Sequence, residues 1–105
     1  MFSRTLTYMR PKTTVPFIRD AFTADQMATY NQIIDIRSKA AGFQGETESI
    51  SADQLSEIFA STWTDEASYM AFFTANQALI LQHTADKENY AALNDVGFSD
   101  ARKTV

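Results

Sequence analysis

The apolar residues of this chain switch repeatedly between a spacing of two and a spacing of 3.6, and the order of those switches leaves few folds open. Alternate residues stand on opposite faces of a strand, whereas residues three and four apart share one face of a helix. From Phe2 to Met9, Phe2, Leu6 and Tyr8 fall with Arg4 on one face, and Ser3, Thr5, Thr7 and Met9 on the other. A first strand is predicted there. Pro11 and Pro16 then hold the residues before them extended, and an irregular turn is expected over Phe17 to Phe22.

Thr23-Ala24-Asp25-Gln26 has the form of a capping box, and Gly42 offers a stop, so a helix is predicted over 24–41. At about 100° per residue, Met27, Tyr30, Ile34, Arg37 and Ala41 share a face flanked by Ile33 and Ala40, with Ile36 well off it. Two strands, 43–51 and 55–63, should follow as a hairpin through Ala52-Asp53-Gln54. Direct opposition of Glu48 and Glu57 would destabilise the pair. A register shifted by one residue is preferred, with Phe43, Leu55, Phe59 and Trp63 on a common face.

Thr64 or Asp65 can cap a helix that gathers Tyr69, Phe72 and Phe73, and the polar step Thr74-Ala75-Asn76-Gln77 should bend or break it. A second helical piece with Leu79, His83, Tyr90 and Leu93 at helical spacing runs to about Asp95, with Gly97 as its stop. Residues 98–105 then make a short last edge strand. Strand, helix, two strands, broken helix, strand is the order of an α+β, ferredoxin-like split βαβ sandwich, with a four-stranded antiparallel sheet and helices on one face. A chain of 105 residues is too short for two self-sufficient cores, so 1–105 is read as a single domain.

Charge and composition narrow the function. Nine basic residues against thirteen acidic ones give a net charge of -4, and the basic residues are scattered, so no nucleic-acid partner is expected. The absence of cysteine and a lone His83 exclude thiolate chemistry, disulfide frameworks and any site needing two imidazoles from one chain. Neither a metal nor a cofactor is expected. The first residues lack the apolar run of a secretion signal, and no stretch approaches the ~18 apolar residues that cross a bilayer, so a cytoplasmic protein without a membrane partner is expected.

The segment Ala60-Ser61-Thr62-Trp63-Thr64-Asp65-Glu66-Ala67-Ser68-Tyr69-Met70-Ala71-Phe72 runs from strand through an aromatic residue and an acidic cap into an aromatic-rich helix. In this, and in its element order, the chain resembles the dimeric α/β-barrel superfamily, which includes antibiotic-biosynthesis-type and haem-degrading monooxygenases. The resemblance implies a homodimer in which two sheets pack face to face, and a pocket between each sheet and its own helices. Haem-degrading members combine a strand asparagine, a tryptophan and a helix histidine. Trp63 matches the tryptophan, but the first strand offers Thr5 and Thr7 and no asparagine, and His83 lies too far along the helical region. Haem binding is therefore not carried over, and the monooxygenase role lacks a matched set of pocket residues.

The candidate ligand-binding residues are Tyr8, Tyr30, Arg37, Trp63 and His83, with His83 the one candidate for catalysis because its ordinary pKa lies near neutrality. Each has a structural alternative. Aromatics at strand and helix spacing usually build core, and a helix histidine is more often structural. Arg37 on an apolar stripe needs a carboxylate, a phosphate or a route to solvent, and snorkelling to the helix edge is the expectation. Glu46, Glu48 and Glu57 are expected as solvated charges on an exposed or rim strand. Met70, Ile80, Leu81 and Ile36 lie on different helix faces, so some should sit at a partner surface.

Two functions remain open. One is a dimeric protein that binds, or oxidises, a small and largely apolar molecule between sheet and helices, which requires a cavity with a few convergent polar groups. The other is a non-enzymatic structural or interaction module, which requires that space to be filled.

Overall fold

A computed structural model describes residues 1–105. In chain order the elements are β1 (Phe2–Met9), α1 (Ile18–Ala21), α2 (Ala24–Ser38), β2 (Phe43–Ile50), β3 (Ser56–Trp63), α3 (Glu66–Ala75), α4 (Gln77–Asn94) and β4 (Gly97–Thr104). The strands form one antiparallel sheet in the order β2-β3-β1-β4, as a split βαβ sandwich requires. The ferredoxin-like architecture expected from the periodicities is the one observed.

Local chemistry sets the element ends. The Gln26 amide donates to the Thr23 hydroxyl and the Gln26 side chain accepts from the Thr23 amide, so the capping box starts α2. Asp65, not Thr64, caps α3 by accepting from the Ser68 amide and hydroxyl. The polar step divides the last helical region at Asn76, whose side chain donates to the Phe72 carbonyl. Three boundaries differ from expectation. The helix predicted over 24–41 ends at Ser38, the turn at 17–22 contains the short α1, and the stop of α4 is Asp95 in the left-handed region (φ 54°) while Gly97 opens β4. An aspartate tolerates that conformation better than most residues, so glycine was not needed there.

The register aligns residues in rows across the sheet. Phe43, Trp63, Phe2 and Thr104 make one row, then Glu46, Ser61, Arg4 and Arg102, then Glu48, Phe59, Leu6 and Asp100, then Ile50, Glu57, Tyr8 and Phe98. Glu48 and Glu57 are thus not opposed. A bulge at Gln44 accounts for Phe43 and Glu46 sharing a face despite their odd spacing.

The first row anchors the core. Trp63 is 0% exposed and packs with Phe2, Tyr69, Phe72 and Ile33, joining sheet, α3 and α2. Ring centroids separate Trp63 from Phe43 by 5.1 Å, from Phe72 by 5.3 Å and from Tyr69 by 5.7 Å, within the range where aromatic pairs attract. Each such fully buried ring contributes about 1.5–3 kcal/mol by leaving water.

Two expectations about helix faces need correction. Ile36 packs against this core with Ile33 and Ala40, so the inner face of α2 is rotated from the stripe read in the sequence and centres on Ile33. Of the four residues placed on different faces, Ile36 and Ile80 join the core, while Met70 (41% exposed) and Leu81 (49%) face outward. No helix is long and apolar enough to cross a membrane.

Candidate ligand-binding site

Beyond the aromatic row the sheet and helices do not close on one another. They leave an open cleft between them. The floor comes from alternate residues of β1 and β3, among them Arg4, Leu6, Tyr8, Glu57, Phe59 and Ser61, and the roof from Phe22, Tyr30, Ile33, Arg37, His83 and Lys87. All five sequence candidates, Tyr8, Tyr30, Arg37, Trp63 and His83, reach its wall.

His83 stacks flat on Tyr30, with centroids 5.0 Å apart and an interplanar angle of 1°, and Phe22 meets its edge at 5.6 Å. Burial among these rings, reinforced by the nearby Lys87 and Arg37 cations, pushes the imidazole down to about 4. At neutral pH His83 is therefore uncharged. Its Nδ1 is buried without a partner in the protein.

Arg37 does not snorkel. Its side chain is 16% exposed and its guanidinium lies 2.8 Å from a Glu46 oxygen, with Phe43 beneath it at 5.3 Å. The partner comes within reach because the bulge at Gln44 turns Glu46 and Glu48 to the helix-facing side. Glu48 takes Arg19 of α1 in the same way. The expectation of solvated strand charges holds for Glu48, whose ion pair is exposed, but fails for Glu46 and most clearly for Glu57, which is 4% exposed. Desolvation, reinforced by the Glu48 charge, pushes the Glu57 carboxyl up to about 7.

Lys87 was not singled out in the sequence, although it lies one helical turn after His83. Its Nζ donates to Tyr8 Oη at 2.6 Å. Burial, with the Arg4 cation adding to it, draws the amine down to about 8, and burial raises the Tyr8 phenol well above its ordinary range. This pair separates the main cavity from a smaller space bounded by Glu88, Ala91 and Phe98.

Four residues that line this cavity each bury a polar atom with no partner in the protein: Arg37 Nε, Glu57 Oε1, Trp63 Nε1 and His83 Nδ1. Buried polar atoms in native proteins are nearly always paired, so four of them around one space mark it as a place for something that hydrogen-bonds.

No family model matches the chain, and no curated protein does. Solved structures do. SnoaB, a cofactor-independent oxygenase from Streptomyces nogalater, superposes with a TM-score of 0.62 at 12% identity, covering 99% of this chain and 91% of its own. A dimeric ferredoxin-like protein from an uncultured marine organism gives 0.61 at 15% identity over 99% and 94%. This chain has their fold. A monooxygenase from the gene ActVA-Orf6 of Streptomyces coelicolor, solved with the ligand nanaomycin D, gives 0.60 at 15% identity over 99% and 86%. The expected likeness to antibiotic-biosynthesis-type monooxygenases is thereby met at the level of fold.

Proposed function

We propose that this protein is a homodimer that binds a small, largely apolar, ring-containing molecule in the cavity between its sheet and helices. The observation that carries the binding reading is the aromatic cavity with its four unpartnered buried polar atoms. A purely structural module needs that space filled. Fold relatives that oxygenate small molecules make oxidation of the bound molecule the reaction class to test first, and the five sequence candidates, Tyr8, Tyr30, Arg37, Trp63 and His83, are the residues proposed to contact it.

The sheet supports dimerisation by an inversion of the usual pattern. Its helix-facing side holds Arg4, Glu46, Glu48, Glu57, Asp100 and Arg102, whereas the outward residues of β1, β2 and β3 are all uncharged, among them Thr5, Thr7, Thr47, Ile58, Ala60 and Thr62. An outer face that carries one charge, Lys103 on the edge strand β4, in a chain with 21% charged residues suits contact with a second copy better than water.

Native mass spectrometry of freshly purified protein tests both parts at once. A dimer with extra retained mass supports the proposal, and incubation with that molecule in air should then yield an oxygenated product. A monomer would overturn the dimer, and failure of quenching of the single tryptophan, Trp63, by any ring-containing probe would overturn the binding reading.

A further inference from the structure

Three carboxylates face the helices from β2 and β3, and their pairing is unequal. Glu46 has Arg37, Glu48 has Arg19, and Arg10 donates to the Gln54 and Val15 carbonyls, so Glu57 is left without a paired cation. Glu57 is also the most buried of the three, it lines the cavity, and its Oε1 is buried with no partner. A buried carboxylate without a cation or donor is far costlier than a buried carboxylic acid.

We propose that Glu57 is held as a neutral acid and donates a hydrogen bond to the bound molecule, so that this cavity selects ligands presenting a carbonyl oxygen at the Glu57 end. The inference rests on the ligand-binding reading above and adds the polar feature that the ligand must carry. The geometry leaves Glu57 as the group suited to this. Lys87 is engaged with Tyr8, Arg37 with Glu46 and Arg19 with Glu48, while Trp63 Nε1 and neutral His83 do not change charge near neutrality.

The charged and titratable groups around Glu57 fix the direction of its pH dependence. Glu48 of β2 and Asp20 of α1 raise its proton affinity, Arg19 of α1 and Arg10 just past β1 lower it, and Tyr8 of β1, directly opposite in the ladder, stays protonated. Burial exceeds all of these and places the titration at about 7. Lys87 on α4 titrates at about 8 and must be separated experimentally.

Fluorenone, fluorenol and fluorene share one ring skeleton and differ in presenting a carbonyl, a hydroxyl or neither, so their affinities by equilibrium dialysis isolate the hydrogen bond. Fluorenone should bind about tenfold tighter than fluorene at about pH 6, and that ratio should fall to about one at about pH 8.5, where Glu57 has lost its proton. Fluorenol can accept from the acid or donate to the carboxylate, so its advantage should persist at both pH values. Glu57→Gln keeps a donor in the same volume and should hold the fluorenone ratio constant with pH, while Glu57→Leu should abolish it. Any pH dependence surviving in Glu57→Gln belongs to Lys87. A wild-type ratio that ignores pH, or one unchanged by Glu57→Leu, overturns the inference and leaves the cavity reading standing. Binding of none of the three overturns the cavity reading and the inference with it.

Discussion

Lys87 Nζ donates to Tyr8 Oη at 2.6 Å, joining α4 to β1 across the cavity between residues 79 positions apart. The ammonium is thereby held where water is scarce, and it has a neutral oxygen, not a carboxylate, as its bonded partner. Such an arrangement stores a stability penalty that depends on pH.

The sign follows from the direction of the shift. Lys87 titrates at about 8 in the fold against an ordinary 10.5, so the folded protein loses the proton first and its stability rises as pH climbs between those values. Relative to Lys87→Met, the wild-type protein should therefore gain about 2 kcal/mol between about pH 7.5 and about pH 9.5. Urea unfolding of the two proteins at both pH values measures this, and parallel pH profiles would show that Lys87 is not desolvated.

His83 reverses the useful range. Its imidazole titrates at about 4 against an ordinary 6.5, so the stability of the stacked, neutral ring is fully present above 6.5 and is lost as pH falls toward 4. The wild-type protein should lose about 2 kcal/mol relative to His83→Phe on going from about pH 7 to about pH 4.5. As the chain's only histidine, its ring proton gives an unambiguous magnetic resonance titration. An apparent pKa near 6.5 would contradict the burial.

The pairing of Arg37 with Glu46 should be visible as a non-additive mutant cycle. Arg37→Leu strands a carboxylate whose side chain is only 19% exposed, so it should cost about 3 kcal/mol, and Glu46→Leu should cost a similar amount by stranding the guanidinium. Arg37→Leu combined with Glu46→Leu should lose less than the sum, because no unpaired charge remains. Additive losses by chemical denaturation would mean that the two side chains do not share their environment.

The sequence showed more of the fold than of the site. Strand alternation from Phe2 to Met9, the Thr23 capping box and the polar break at Asn76 are local features, and each element appears close to where they put it. The inward carboxylates were illegible for a different reason. Glu57 shares its strand parity with Phe59 and Trp63, which had been placed on one face, so its inward position followed from the same alternation, and charge alone argued it outward. Glu46 and Glu48 turn inward only through the Gln44 bulge, whose one local signal is Gly45 inside the strand, at φ 135°. Arg37 then found a carboxylate instead of the helix edge, which no single-helix reading could supply. Lys87 has the same character, since its partner belongs to the first strand.

That inversion of charge between the two sides of the sheet leads to the last prediction. Ile58 lies on the outward side in the row with Thr7 and Ser49, near the middle of the uncharged face. A carboxylate placed there meets its own symmetry mate if two sheets pack against each other, and like charges brought together in a dry interface oppose association strongly. Ile58→Glu should therefore weaken the dimer by at least about a hundredfold while leaving the fold intact, because in the separated chain the new side chain points to water. Sedimentation and far-ultraviolet circular dichroism distinguish the outcomes. A folded monomer supports pairing through this face, whereas an undisturbed dimer would place the interface elsewhere and make the uncharged outer surface of β1, β2 and β3 unrelated to assembly.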